Sequence, residues 1–96
     1  MADRPLFKVD FNELMWFDEV LLSKTDIKKD AHGNDVLLVE GLPIAIYDDD
    51  VGANGQPDRL VAEGVVIRNE ATVHFGHVKW CCRIGPEGIR HQSELT

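Results

Sequence analysis

Cysteine is scarce in this chain, and the two that occur, Cys81 and Cys82, are neighbours. Adjacent side chains on a strand point to opposite faces, so these two are badly placed to bond to each other. That removes a disulfide framework and makes a reducing compartment, the cytoplasm, the expected setting. Long apolar runs are also missing. No uninterrupted stretch exceeds four residues, as in Val36–Val39, against the roughly 20 needed for a helix to cross a bilayer. The opening Met1-Ala2-Asp3-Arg4-Pro5 lacks a basic start followed by an apolar segment, so no secretory leader is expected.

Positive charge is the third shortage. Ten Lys and Arg stand against 17 Asp and Glu, a net charge of -7. Such a surface repels phosphate backbones, which works against general nucleic-acid binding. It favours solubility and attracts a basic partner. At 96 residues the chain can close one modest core but not a core plus a deep substrate cavity. A non-enzymatic protein without a cofactor is therefore expected.

What the sequence does contain is short runs of apolar residues cut by Gly, Pro and Asn: Val36–Val39, Leu42–Tyr47, Leu60–Ile67 and Val73–Ile84. This spacing predicts a mainly β protein, a small bent antiparallel barrel. An SH3-like roll fits the short strands and the long loop better than an OB-fold. Residues 1–9 read as a loosely ordered arm, and 10–96 as a single domain. Asp10 and Glu13 have the spacing of a capping box, and Phe11, Leu14 and Met15 recur near helical period. A short N-terminal helix is expected there, with a strand over Glu19–Ser23 as the competing reading.

Further along, Thr25–Lys29 reads as a strand that turns at His32-Gly33-Asn34-Asp35 and returns over Val36–Val39. Pro43 belongs at a strand start. Asp48–Asp58 is a long polar loop of the kind that often displays a binding surface. The apolar parity of Leu60–Ile67 changes at Gly64, which suggests a bulge. Val78, Trp80, Cys82 and Ile84 share one parity and are expected to face the core, leaving His77, Lys79, Cys81 and Arg83 outside. Ile89–Ser93 reads as a last short strand.

Four groups could carry chemistry. His74, His77, Cys81, Cys82 and His91 are zinc-ligand types, but on a strand His77 and Cys81 stand about 13 Å apart, so no metal is expected. Cys81 lies between Lys79 and Arg83, whose charge would favour the thiolate, yet a strand offers no oxyanion hole. Its plain reading is a half-exposed neighbour of a core Cys82, and no catalytic residue is assigned. Asp48, Asp49, Asp50, Asn54 and Asp58 crowd one loop, but counting from Asp50 puts Gly52 and Val61 where a calcium loop needs acids. Lys79, Arg83 and Arg90 could form a local nucleic-acid patch, with Phe75 or Trp80 to stack on a base.

The reading favoured here is a protein-interaction module. Its candidate interface joins the apolar cluster Met15, Trp16 and Phe17 to the acidic Asp48, Asp49 and Asp50 of the long loop. Three consecutive large apolar residues cannot all face one core from one helical turn. A second copy related by a two-fold axis is the simplest cover for the one left outside.

Overall fold

The computed structural model describes residues 4–16, 18–70 and 77–95; for residues 13–16 and 95 it describes the main chain alone. Its elements are β1 (Leu6–Lys8), β2 (Leu14–Trp16), β3 (Glu19–Ser23), β4 (Ile27–Lys29), β5 (Asp35–Leu37), β6 (Pro43–Asp48), β7 (Leu60–Arg68), β8 (Trp80–Ile84) and β9 (Arg90–His91). The architecture is mainly β, and no α-helix occurs among the described residues.

One sheet runs β1-β6-β7-β8-β3-β2, and β9 pairs with β7 beyond the end of β8. It curls around the main core as a half barrel, with β1 and β2 at its edges. Pairing is antiparallel except for β1 on β6, which is parallel. The hairpin β4–β5 stands outside this sheet as a separate two-stranded ribbon.

The core follows from alternation. Ile44 and Ile46 of β6, Ala62 and Val66 of β7, Trp80, Cys82 and Ile84 of β8, and Val20 of β3 meet inside the curl. Phe7, Leu38, Ile44, Ile46, Val20, Val66 and Cys82 are almost wholly buried there. Each such large side chain removes enough apolar surface from water to contribute about 1.5–3 kcal/mol.

Several sequence expectations change here. The N-terminal helix is absent: a 3₁₀ turn over Phe11–Glu13 leads straight into β2, which pairs with β3. The pairing of Leu14 with Val20 satisfies the backbone across strands, which overrides the weak helical period. Within the supposed arm, Leu6–Lys8 is a sheet strand, with Phe7 and Val9 buried in the core. Gly64 marks no bulge. The register with β6 and with β8 runs unbroken through it. The glycine is there because an added Cβ would fall 2.1 Å from the carbonyl oxygen of Arg83. The register irregularities lie instead in β2, between Leu14 and Trp16, and in β3, between Leu21 and Ser23.

Val78 also leaves the predicted face. The strand begins only at Trp80, and Val78 joins Leu21, Cys81 and Ile67 in a second, smaller apolar cluster.

Candidate interaction surface

The long acidic loop is folded back on itself and tied down. Val51 bridges Pro57, Gly52 N–H donates to Gln56 O at 2.8 Å, and Asp58 N–H donates to Asp50 O at 2.9 Å. Its carboxylates then anchor it to three other elements. Asp48 Oδ2 accepts from Phe11 N–H at 3.2 Å. Asp49 pairs with Lys8 of β1 at 3.2 Å and with Arg59 at 3.5 Å. Asp50 Oδ2 lies 2.9 Å from His91 Nε2. Asp58 accepts from both the backbone and the hydroxyl of Ser93, at 3.1 and 2.7 Å.

These contacts hold the Asp50 and Asp58 carboxyls below their ordinary range, through His91 and Ser93 respectively. The hydrogen bond to Asp50 likewise raises His91. The acids that suggested a displayed interface thus serve as ties to β1, the 3₁₀ turn and the C-terminal segment. Among the described residues, no three of them gather where one cation could sit.

The basic patch is divided as well. Lys79 Nζ sits 2.7 Å from Asp26 Oδ1, and Arg83 lies 3.7 Å from Glu19 on the neighbouring strand. Arg90, on β9, has no ion pair among the described residues. Trp80 is 7% exposed and donates from Nε1 to Asp26 at 2.9 Å, so its ring offers no stacking face to a base. Phe75 and His74 lie outside the described residues.

The cysteines occupy opposite faces of β8, as expected, but both faces are buried there. Cys81 is wholly covered in the second cluster, not half-exposed. Burial, and secondarily the Glu19 carboxylate, pushes its thiol up to about 11. Burial pushes Cys82 to about 12. Lys79 and Arg83 do not activate Cys81, because each is spent on a carboxylate. Among the described residues no three His, Cys, Asp or Glu side chains converge on a point that could hold a metal ion. Met15 and Trp16 lie on the edge strand β2, where only the main chain is described, and Phe17 is outside the described residues.

An open cleft of about 990 Å³ lies beside β3. Lys8, Lys24, Lys28 and His77 line it together with Asp10, Asp48 and Asp49. The two signs offset each other, so the cleft prefers neither anions nor cations.

The hairpin β4–β5 presents a different surface. Ile27 and Leu37 face each other across it and are 57% and 61% exposed; Val39, just beyond, is 47% exposed. The opposite face carries Val36, which packs on the core, and Leu38, just past the strand, is 1% exposed. The hairpin is firmly built. Asp30 Oδ1 accepts from His32 N–H and Asn34 N–H, and Gly33 takes φ +86° at the turn. A three-residue loop closed by a left-handed glycine suits the strand twist. At the tip, Ala31 N–H donates to Leu6 O at 2.7 Å. At the base, Asp26 accepts from Trp80 and pairs with Lys79, which lowers its carboxyl.

This surface leaves a signal in the sequence that alternation alone does not use. Val36-Leu37-Leu38-Val39 is apolar at every position, yet a strand buried on one face uses only alternate residues. Two of the four had to face outward.

No protein-family model, curated protein or solved structure matches this chain.

Proposed function

We propose that this protein is a non-enzymatic interaction module that binds a protein partner through the outer face of the β4–β5 hairpin. The observation that carries the reading is the cross-strand pair Ile27 and Leu37, extended by Val39: large apolar side chains left half-exposed on a hairpin fixed at both ends. A rigid apolar strip surrounded by polar surface loses water at little conformational cost when a partner covers it. The acidic loop, by contrast, has already committed its carboxylates within the chain.

A nucleic-acid role through Lys79, Arg83 and Arg90 is the weaker reading, because two of the three are neutralised by Asp26 and Glu19. The test is quantitative co-purification from the source cells with the wild-type chain and with the double variant Ile27→Ser, Leu37→Ser. A protein recovered stoichiometrically with the wild type and lost with the folded variant supports the proposal. Equal recovery with both, or nucleic acid in place of protein, contradicts it.

A further inference from the structure

The backbone of the same hairpin points to how a partner would bind. Antiparallel strands alternate between residue pairs that exchange hydrogen bonds and pairs whose N–H and C=O groups point away from the partner strand. Asp30 N–H donates to Asn34 O at 2.9 Å, and Leu38 N–H donates to Asp26 O at 2.7 Å. With Lys28 paired to Val36, these fix 26/38, 28/36 and 30/34 as the bonded pairs. Ile27/Leu37 and Lys29/Asp35 are then the unbonded pairs, and the N–H and C=O of Asp35 and Leu37 are turned outward.

Among the described residues, β5 has β4 as its only strand partner. Its outer edge is a row of main-chain donors and acceptors beside an exposed apolar pair. The edge strand β1 lacks this property near the hairpin, since Leu6 O is already taken by Ala31 N–H. On β4 the outward Ile27 O is likewise occupied, by the Thr25 hydroxyl at 2.8 Å.

We infer that β5 accepts an extended partner segment as a third strand, and that this segment carries apolar residues at alternate positions flanked by Lys or Arg. The inference rests on the reading of this hairpin as the contact surface. Strand addition gives affinity through the main chain and specificity through alternate side chains. Here the alternate side chains would meet Leu37 and, across it, Ile27. The charge preference comes from two observations. Asp35, at the start of the strand, is held by Lys29, but Glu40, just past its end, is exposed and in no ion pair among the described residues. The whole chain carries -7, which steers cationic segments toward it and opposes a second copy of itself.

The test uses the full chain and the synthetic peptide acetyl-Lys-Lys-Val-Thr-Val-Thr-Val-Lys-Arg-amide, with a counterpart in which Glu replaces each cation. Binding is followed by amide resonances and amide hydrogen exchange. The basic peptide is expected to shift and protect the amides of Asp35 and Leu37, and the acidic one to leave them unchanged. Leu37→Pro removes an outward N–H without touching a hairpin bond, as edge positions tolerate. It should weaken the basic peptide roughly tenfold, the worth of about one good hydrogen bond. Asp35→Pro removes the next outward N–H and serves if Leu37→Pro does not fold. Full affinity in the folded proline variants, with no new protection at Asp35 and Leu37, overturns strand addition. If Leu37→Ser nevertheless weakens binding, the contact surface stands and only its mode is wrong. Equal binding of both peptides, or of neither, overturns the partner chemistry.

Discussion

Among the described residues, the loop between β6 and β7 and the hairpin β4–β5 both stand outside the main sheet, and they differ in what they leave unsatisfied. The loop is rich in charge, but Asp48, Asp49, Asp50 and Asp58 each bond to another part of the chain. The hairpin has little charge to offer, since Lys29 is 2.9 Å from Asp35. What it presents is apolar side chains and a row of outward main-chain groups. Exposure alone therefore says little about availability. An exposed carboxylate that already accepts two hydrogen bonds is engaged, whereas an exposed leucine beside an open strand edge is not.

The comparison breaks most visibly if the hairpin loses its base. Trp80 fills the core under the hairpin and holds Asp26. Trp80→Ala should cost about 3–5 kcal/mol in a denaturant melt, the range for deleting a large buried aromatic. A loss below about 1 kcal/mol would mean that Trp80 neither fills the core nor fixes the hairpin.

Next in size is Gly64→Ala. The new methyl would meet the main chain of Arg83 and the sulfur of Cys82, which lies 2.9 Å from the added carbon. The expected cost is roughly 3 kcal/mol, the upper end for overpacking. It should loosen the sheet that carries both regions equally. A neutral substitution would show that β7 and β8 lie farther apart than the register implies.

The smallest effect separates the two regions by pH. His91 is raised above its ordinary 6.5 by Asp50, with Asp58 and Glu94 adding to it. A raised histidine stabilises the fold fully below 6.5, and that contribution is lost as pH rises through the folded value. Asp50 and Asp58 lie below their ordinary 3.8, so their contribution is present above that value and lost as pH falls through the folded values. The tie between the loop and β9 should be tightest between these limits and loosen first on the alkaline side. The Asp26–Lys79 contact at the base of the hairpin involves no histidine and should not respond over that alkaline step. Titration of the His91 ring resonances checks this. A midpoint at or below 6.5 contradicts it, as does an alkaline change in the loop that persists in His91→Gln.

Much of the fold was legible in the sequence because period-two alternation survives wherever one face is buried. Leu42–Tyr47 and Leu60–Ile67 lie within a residue of β6 and β7, and the turn at Gly33 and Asn34 stands where its residue types place it. The failures come from information that a local reading lacks. Phe11–Trp16 has helical spacing, but its partner is β3, so pairing decides the outcome. Gly64 reads as a bulge along the chain, but its cause is the carbonyl of Arg83 on the neighbouring strand β8.

The candidate site was less legible than the fold. Clustered aspartates are visible in a sequence, but the Phe11, Lys8, His91 and Ser93 groups that engage them are brought in by folding. Strand alternation places Cys81 opposite Cys82, yet only tertiary packing shows that a second apolar cluster covers its face.

Amide hydrogen exchange on the unliganded protein tests the central claim most directly, that the β5 edge is open while the acidic loop is spent. The account predicts alternation along the hairpin, with Asp35 and Leu37 exchanging fast and Val36 and Leu38 slowly. It also predicts protection at Gly52 and Asp58 inside the loop, where each N–H has a carbonyl partner. Uniform protection from Asp35 to Leu38, together with rapid exchange at Gly52 and Asp58, would contradict it. The hairpin would then be the covered region and the acidic loop the available one.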